Sequence, residues 1–354
     1  MRVAVDTNAV YTGQAGVARY VRGLITGFAS LPEPLDYFEF AWKVENFKYR
    51  QPQRALKTFY REFVWARLLA NSALRRSGAN LLHSTGGPLF LPTKSVRHVT
   101  TLHDLAVLRH PERFRKWQLA SIRWRLGRYR SAEKIVCDSR FTADEAIELL
   151  GLPASKLVVV DLGCEFQDGE SLAETPPATE VPKEFLLFVG SLEPGKNLNL
   201  IKEVYRLAES KGVRLPPLVI VGSRWSGVPG EGPPPPNWHY LGRQPDATLV
   251  YLYRRALVLL FPSKYEGFGF PIVEAMCLRC PVICSKVACL PDTAGDAAIY
   301  AELTAESYLS AIGRLLREEV SRKSLIDLGL AHSARFTWAR CARETVQVYR
   351  SVCP

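Results

Sequence analysis

Apolar positions in this chain fall into two patterns that alternate along it. Short unbroken apolar runs read as buried strands, and apolar residues recurring every three to four positions read as amphipathic helices. RVAVD (2–6) predicts a first strand. GVARYVRGLITGFA (16–29) predicts a helix, with Val17, Tyr20, Val21, Leu24, Ile25 and Phe28 on one face. DYFEFAW, NLLHS, HVTTLHD and KIVCDS predict four more strands. A capped helix runs from Ser139 to Leu150 and is ended by Gly151 and Pro153, after which KLVVVDLG closes this half. Strands that alternate with helices imply a parallel sheet covered on both faces.

Residues 164–183 break the pattern, being rich in Pro, Glu and Thr and poor in apolar side chains, as a linker is. The alternation then restarts with FLLFVGS, the helical stretch NLNLIKEVYRLAESKG, PLVIVGS, WHYLG, ALVLLFPS and PVICS. FTWARCARETVQVYRSV predicts a last helix. The fold class is therefore α/β: two doubly wound, Rossmann-like domains facing a central cleft. The expected boundaries are 1–163, a linker at 164–183, 184–335, and a C-terminal helix at 336–354 that packs back on the first domain. Ligands of open parallel sheets bind beyond the carboxyl ends of the strands, so site residues are sought just after strands.

Composition adds bounds. The chain has 354 residues, enough for two cores, and 47% hydrophobic with 23% charged residues is that of a globular protein. No apolar run reaches the roughly 18 residues of a membrane span. Met1 leads directly into a strand, which predicts a cytoplasmic chain without a signal peptide. Eight cysteines then read as reduced thiols. Cys277 and Cys280 form a C-x-x-C, but no second pair stands at ligand spacing, so they read as small packing residues and no metal site is expected.

The net charge of +11 is concentrated. Residues 48–76 hold eight basic side chains against Glu62 alone, and residues 109–130 hold eight against Glu112 alone. Phe59, Tyr60, Phe63, Trp65, Phe114, Trp117, Trp124 and Tyr129 are interleaved with them. A solvated basic face is the plain reading. With no nucleic-acid module recognisable, the specific reading is an anionic membrane surface, and no nucleic-acid partner is expected.

Four stretches carry chemistry. After the first strand, Gly13 and Gly16 lead into a helix N-terminus, where backbone N–H groups can approach a phosphate or sugar. In TLHDLAVLRHPE, His103 and Asp104 follow a strand. In LFVGSLEPGKNL, Gly190 and Ser191 end a strand and Lys196 stands before a helix, where it would add charge for a diphosphate. In KYEGFGFPIVE, Gly267 and Gly269 let the backbone curl around a ligand, Pro271 suits a first helical turn, and Glu266 and Glu274 lie on either side. One acid can touch the reacting group while the other holds a hydroxyl pair deeper in the site.

EGFGFPIVEAM, followed by PVICS and LPDTAGDAA, resembles the signature of retaining glycosyltransferases of family 4, which have the GT-B fold. GVARY, TLHDL, AEKIVCDSRFTADEAIELLGLPASKLVVVDLG, FVGSLEPGKNL and FTWARCARETVQVY extend the resemblance over nearly the whole chain. LLHSTGG and TLHDLAVLRHPE are most similar to the mannosyltransferase-like branch. The resemblance implies a hexosyltransferase that moves mannose from GDP-mannose to a glycan or lipid-linked glycan acceptor. It works without a metal or other cofactor, there being no D-x-D motif, and is peripheral on the cytoplasmic membrane face. It implies that Glu266 lies by the donor sugar, Glu274 binds the ribose hydroxyls, and the amides of Phe268 and Gly269 face sugar and phosphates. Lys196 would neutralise the leaving diphosphate, with Gly16 helping, and His103 would contact the sugar near the reacting carbon.

Three departures from the family pattern stand out. Gly195 occupies a position usually held by arginine, and Arg243 in LGRQPD or Lys264 is expected to supply that charge. Arg279 occupies a usual glycine, which predicts a reshaped turn on the donor side. A proline-rich insert fills 229–236. The alternatives are a UDP-sugar-dependent transferase of the same family and a non-catalytic glycan-binding protein of this fold. Epimerases and phosphorylases share the fold, but the two glutamates eight positions apart and the chain length disfavour them.

Overall fold

A computed structural model describes residues 1–12, 15–45, 53–114, 119, 122–123, 125–167, 172–223 and 238–353. Gly13, Lys48, Trp117, Trp124 and the proline-rich insert 229–236 lie outside the described residues. The chain divides into two compact units, Met1–Gly163 with Thr337–Pro354, and Cys164–Phe336.

Unit 1 is built on six parallel strands: β1 (Val3–Asp6), β2 (Tyr37–Phe40), β3 (Leu81–Ser84), β4 (Arg97–Leu102), β5 (Lys134–Cys137) and β6 (Leu157–Val159), in the order β2-β1-β3-β4-β5-β6. All four residues of β1 and of β3 are buried, as expected of inner strands covered on both faces. The covering helices are α1 (Asn8–Thr12), α2 (Ala15–Ala29), α3 (Gln53–Phe59), α4 (Ala70–Arg76), α5 (Ala106–Arg109) and α6 (Arg140–Leu150), with a π-helical segment, Tyr60–Leu69, between α3 and α4. Ser139 caps α6 by accepting the Thr142 N–H at 3.2 Å, and Gly151 ends it in the left-handed conformation. One core cluster gathers Ala4, Trp65, Leu74, Leu82 and Phe90, and another gathers Leu102, Ile135, Ala143 and Leu152.

Unit 2 repeats the plan with β7 (Leu186–Val189), β8 (Leu218–Val221), β9 (Trp238–Gly242), β10 (Val258–Phe261), β11 (Val282–Ser285) and β12 (Ile299–Ala301), all parallel, in the order β12-β11-β10-β7-β8-β9. Its helices are α7 (Leu198–Ser210), α8 (Asp246–Arg255), α9 (Phe270–Cys277), α10 (Leu290–Ala294), α11 (Ala305–Arg317) and α12 (Glu319–Ser333). The three-residue edge strand β12 has no counterpart among the predicted strands; so short a run leaves no pattern to read. In the Pro-rich segment before β7, Glu174 holds Arg254 at 3.0 Å and Arg255 at 2.8 Å, and the Thr175 N–H donates to the Ala247 carbonyl at 3.1 Å. Those contacts fasten the segment to α8.

The last helix, α13 (Trp338–Val352), belongs to unit 1 and lies against α2. Glycine makes that contact possible. A Cβ on Gly23 would stand 2.0 Å from the Trp338 ring, and one on Gly27 would stand 2.2 Å from the Trp338 carbonyl oxygen. Both separations are far inside contact distance, so the α2 backbone at Gly23 and Gly27 lies directly against the ring and the backbone of Trp338.

Each sheet has one place where its strand order reverses. In unit 1 it lies between β1 and β3, and in unit 2 between β7 and β10. Loops leaving adjacent strands in opposite directions open a crevice there. Among the described residues no helix is long and apolar enough to cross a membrane, and no three His, Cys, Asp or Glu side chains are grouped to hold a metal ion. Cys277, Cys280, Cys284 and Cys289 are buried free thiols.

Candidate active site

The unit 2 crevice receives most of the residues picked out from the sequence. Gly190 and Ser191 leave β7, and Lys264 to Gly269 leave β10, its neighbour in the sheet. Lys196 sits in a single 3-10 turn, Pro194–Lys196, begun by Glu193, whose carboxylate accepts the Gly195 N–H at 3.1 Å. The Lys196 stem passes over Gly190, within 3.6 Å of where a Cβ would be. Its ammonium reaches Glu266 Oε1 at 2.5 Å, with both side chains less than one-fifth exposed. The two residues that the resemblance assigns to the diphosphate and to the sugar thus hold each other. A partly buried pair of this kind is a charge-assisted contact that an incoming anion can exchange into.

The second loop is held from three sides. The Lys264 N–H donates to the Gly195 carbonyl at 2.9 Å, tying the two loops together. The Thr293 hydroxyl, from α10, donates to the Phe268 carbonyl. The Phe268 ring is buried edge-on against Phe270 and Phe336. Gly269 then starts α9 with φ +96°, a backbone that only glycine adopts without strain. Pro271 follows in the first turn, where a missing N–H leaves nothing unpaired.

Glu274 lies one turn further on, 1% exposed, and Tyr253 of α8 donates its hydroxyl to Glu274 Oε2 at 2.8 Å. Sequence reasoning found Glu274 and missed Tyr253, whose only signal was its place in the helix after β9. Helix α9 ends at Leu278, and Arg279 takes φ 62°. Arg279 adopts the left-handed backbone that glycine takes most easily, at a strain of about 1 kcal/mol. Of the two cations proposed to replace charge at Gly195, Lys264 is joined to that residue through its backbone. Arg243 is exposed on the loop after β9, with β8 between it and β7.

Unit 1 has its own polar edge. The Thr85 hydroxyl donates to the Asp6 carbonyl across the β1/β3 crevice. Leu102 faces Cys137 in the sheet, so the next residues, His103 and Asp138, leave β4 and β5 side by side. His103 Nδ1 lies 2.6 Å from Asp138 Oδ2, and its Nε2 lies 2.7 Å from the Thr85 carbonyl oxygen. Burial alone would lower the His103 pKa, but the Asp138 carboxylate and these hydrogen bonds outweigh it and the net shift is upward. Tyr20, from the GVARY stretch, meets the His103 ring edge-on at 5.1 Å and bonds Thr101 Oγ1 at 3.0 Å. Gly16 is exposed in the first turn of α2, with nothing within 4 Å of where a Cβ would be. Asp138 and Tyr20 lay inside quoted motifs, but only the strand register and the fold of α2 bring them to His103.

Two doubly wound parallel sheets, each with a crevice at its switch point, are the architecture of the GT-B fold. Residues 15–167 match the profile of Glycosyltransferase Family 4, and residues 174–329 match that of Glycosyl transferases group 1. A relative from Escherichia coli, O-antigen chain mannosyltransferase B, is 33% identical over 280 residues, covering 75% of this chain and 73% of the relative. Among solved structures, sucrose-phosphate synthase from Thermosynechococcus elongatus shares the fold with a TM-score of 0.75 at 18% identity, covering 100% of this chain and 99% of that one. Anabaena HepE, solved in complex with UDP and glucose, gives 0.70 at 14% identity, covering 99% and 100%. The chain belongs to the family 4 glycosyltransferases.

Proposed function

We propose that this glycosyltransferase moves mannose from GDP-mannose to a glycan or lipid-linked glycan acceptor, with retention of anomeric configuration and without a metal ion. The observation that carries the choice of sugar is the similarity to the O-antigen chain mannosyltransferase. Breaking the anomeric C–O bond places negative charge on the departing diphosphate and positive charge on the sugar. Lys196, released from Glu266 as the diphosphate binds, stabilises the first, with Lys264 and Arg243 as further cations. Glu266, then facing the sugar, opposes the second. Glu274, aligned by Tyr253, accepts from the ribose diol. Gly190, Ser191, Gly267 and the amides of Phe268 and Gly269 line the donor. The acceptor hydroxyl adds to the anomeric carbon on the face from which the diphosphate departs, and a diphosphate oxygen takes its proton.

The acceptor's setting has a separate support. Leu56 and Leu68 are 69% exposed, and Phe59, Phe63 and Leu69 are exposed beside them. The Phe59 and Phe63 rings stack at 4.9 Å, and the Arg67 guanidinium lies 5.0 Å from the Phe63 ring centre. Apolar side chains set among cations suit an anionic membrane surface on the cytoplasmic face, where a lipid-linked acceptor would be met.

The test is transfer from radiolabelled GDP-mannose, UDP-glucose and UDP-N-acetylglucosamine to membrane extract, with and without EDTA, followed by NMR of the new linkage. An α-linked mannoside unaffected by EDTA is expected. Use of a UDP-sugar would keep the class and change the donor, an inverted linkage would remove the front-face step, and loss of activity in EDTA would remove metal independence. Nucleotide binding without any transfer would favour a glycan-binding protein. Replacing Leu56, Phe63 and Leu68 by serine should abolish co-sedimentation with vesicles containing phosphatidylglycerol; unchanged sedimentation would end the membrane reading.

A further inference from the structure

His103 is held by two atoms that can only accept hydrogen bonds. Asp138 Oδ2 lies 2.6 Å from Nδ1, and the Thr85 carbonyl oxygen lies 2.7 Å from Nε2. A neutral imidazole carries one N–H, so one of these short contacts would set a nitrogen lone pair against an oxygen lone pair. Two N–H groups satisfy both. Asp138 is 3% exposed, and its other oxygen, Oδ1, is buried without a hydrogen-bond partner among the described residues. The imidazolium is thus what compensates its buried charge.

We infer that Asp138 is a positioning residue that keeps His103 doubly protonated in the working enzyme, making His103 a fixed cationic donor and not a base. The inference rests on the proposed transfer, with His103 contacting the sugar as the family resemblance implies. With no lone pair, the ring cannot take the acceptor's proton, and the departing diphosphate oxygen is left to do so. A sugar hydroxyl that replaced the Thr85 carbonyl on Nε2–H would receive a charge-assisted hydrogen bond, stronger than one from a neutral ring.

The groups that face His103 agree with this. Asp104, on the same loop, adds a second, weaker negative influence and is itself exposed. His83, on β3, is fully buried and its pKa falls to about 3, so it stays neutral and does not repel the cation at working pH. From α2, Tyr20 presents an uncharged ring, because burial raises its phenol well above the ordinary value. From α6, Thr142 donates its hydroxyl to the His103 backbone carbonyl at 3.3 Å. On α13, the Cys341 thiol near Asp138 is pushed up by burial and stays protonated.

The test has one arm in the protein itself and one in turnover. Nitrogen NMR of the imidazole rings, with His103→Gln for assignment, should show two protonated ring nitrogens on His103 in the wild type at least to pH 8. In Asp138→Asn the ring should turn neutral below pH 7, whereas Asp104→Asn should leave it protonated. Turnover should be flat between pH 6 and 8 in the wild type. It should fall at least tenfold across that range in Asp138→Asn, and a glutamate at 138 should restore the flat profile. A neutral His103 in the wild type at pH 7, which needs no folded variant to observe, would overturn the inference. So would parallel pH profiles for wild type and Asp138→Asn. If no sugar nucleotide supports transfer, the proposed function fails, and the ring's charge is still read from the NMR arm.

Discussion

The two units share an architecture and solve the placement of charge differently. In unit 2, the charged groups sit on short loops and meet one another: Lys196 and Glu266 pair at 2.5 Å with both still partly exposed. In unit 1, the charged and polar groups are sunk into the sheet. His83 and His98 lie on β3 and β4, and burial lowers their pKa values to about 3 and about 4. Burial raises Asp6, at the end of β1, to about 6. Loops that can rearrange suit a charge that must change partners during a reaction. A rigid edge suits a charge that must not move. The difference teaches that unit 2 variants should fail in turnover, and unit 1 variants first in stability or pH response.

The largest effect should come from the exchanging pair. Lys196→Ala should lower kcat/KM by about 100- to 1000-fold, the range seen when one stabilising group is lost from a developing anion, with the melting temperature nearly unchanged. Steady-state kinetics beside calorimetry would check it; an equal loss in stability would erase the contrast. The strip under α13 is the converse case. Gly27→Ala should destabilise unit 1 by about 2–3 kcal/mol, even after the gain of roughly 1 kcal/mol in helix propensity. Gly16→Ala, in the same helix with open space around it, should not destabilise at all by denaturant titration.

Acid sharpens the comparison next. A histidine with a depressed folded pKa binds its proton more readily when unfolded. The stability of unit 1 is therefore full above about pH 6.5 and falls as pH drops toward 4. Asp6 acts the other way, since its raised pKa favours the folded state at low pH, but two histidines outweigh one carboxyl. Unit 1 should lose on the order of a few kcal/mol between pH 7 and 4.5. Amide exchange followed separately in the two units would read it, and equal losses would refute the assignment of the buried histidines. Tyr253→Phe should raise KM for the donor several-fold, by about 1 kcal/mol, through a less well-aligned Glu274, and leave kcat within twofold. Arg279→Gly should be the smallest effect. Relief of the left-handed strain is opposed by the greater freedom of glycine in the unfolded chain, leaving under about 1 kcal/mol by thermal denaturation.

Legibility in the sequence followed how local each feature is. Inner strands such as β1, β3, β7, β8, β10 and β11 were readable because buried parallel strands are mostly apolar runs. The loop at 266–274 was readable because its glycines, proline and acids set their own backbone geometry within nine residues. The pairing of Lys196 with Glu266 spans 70 positions and follows from β7 and β10 being neighbours, which no spacing reveals. Asp138 stands 35 positions from His103, and only the register of Leu102 against Cys137 joins them. At Arg279 residue type alone said nothing of the backbone, which is left-handed there. Backbone angles can persist where the residue that suits them best is absent.

The return of α13 to unit 1 sets an order on the chain's birth. A ribosome exposes residues 164–336 in full before Trp338 appears. Unit 2 can therefore fold while still tethered, but unit 1 must wait with the bare strip of Gly23 and Gly27 uncovered. Tyr349, whose hydroxyl meets His83 Nδ1 at 2.6 Å, arrives later still, so the buried His83 of unit 1 lacks that partner until α13 is made. A nascent chain stalled just before α13 should present a finished unit 2 and a waiting unit 1, although unit 1 was begun first.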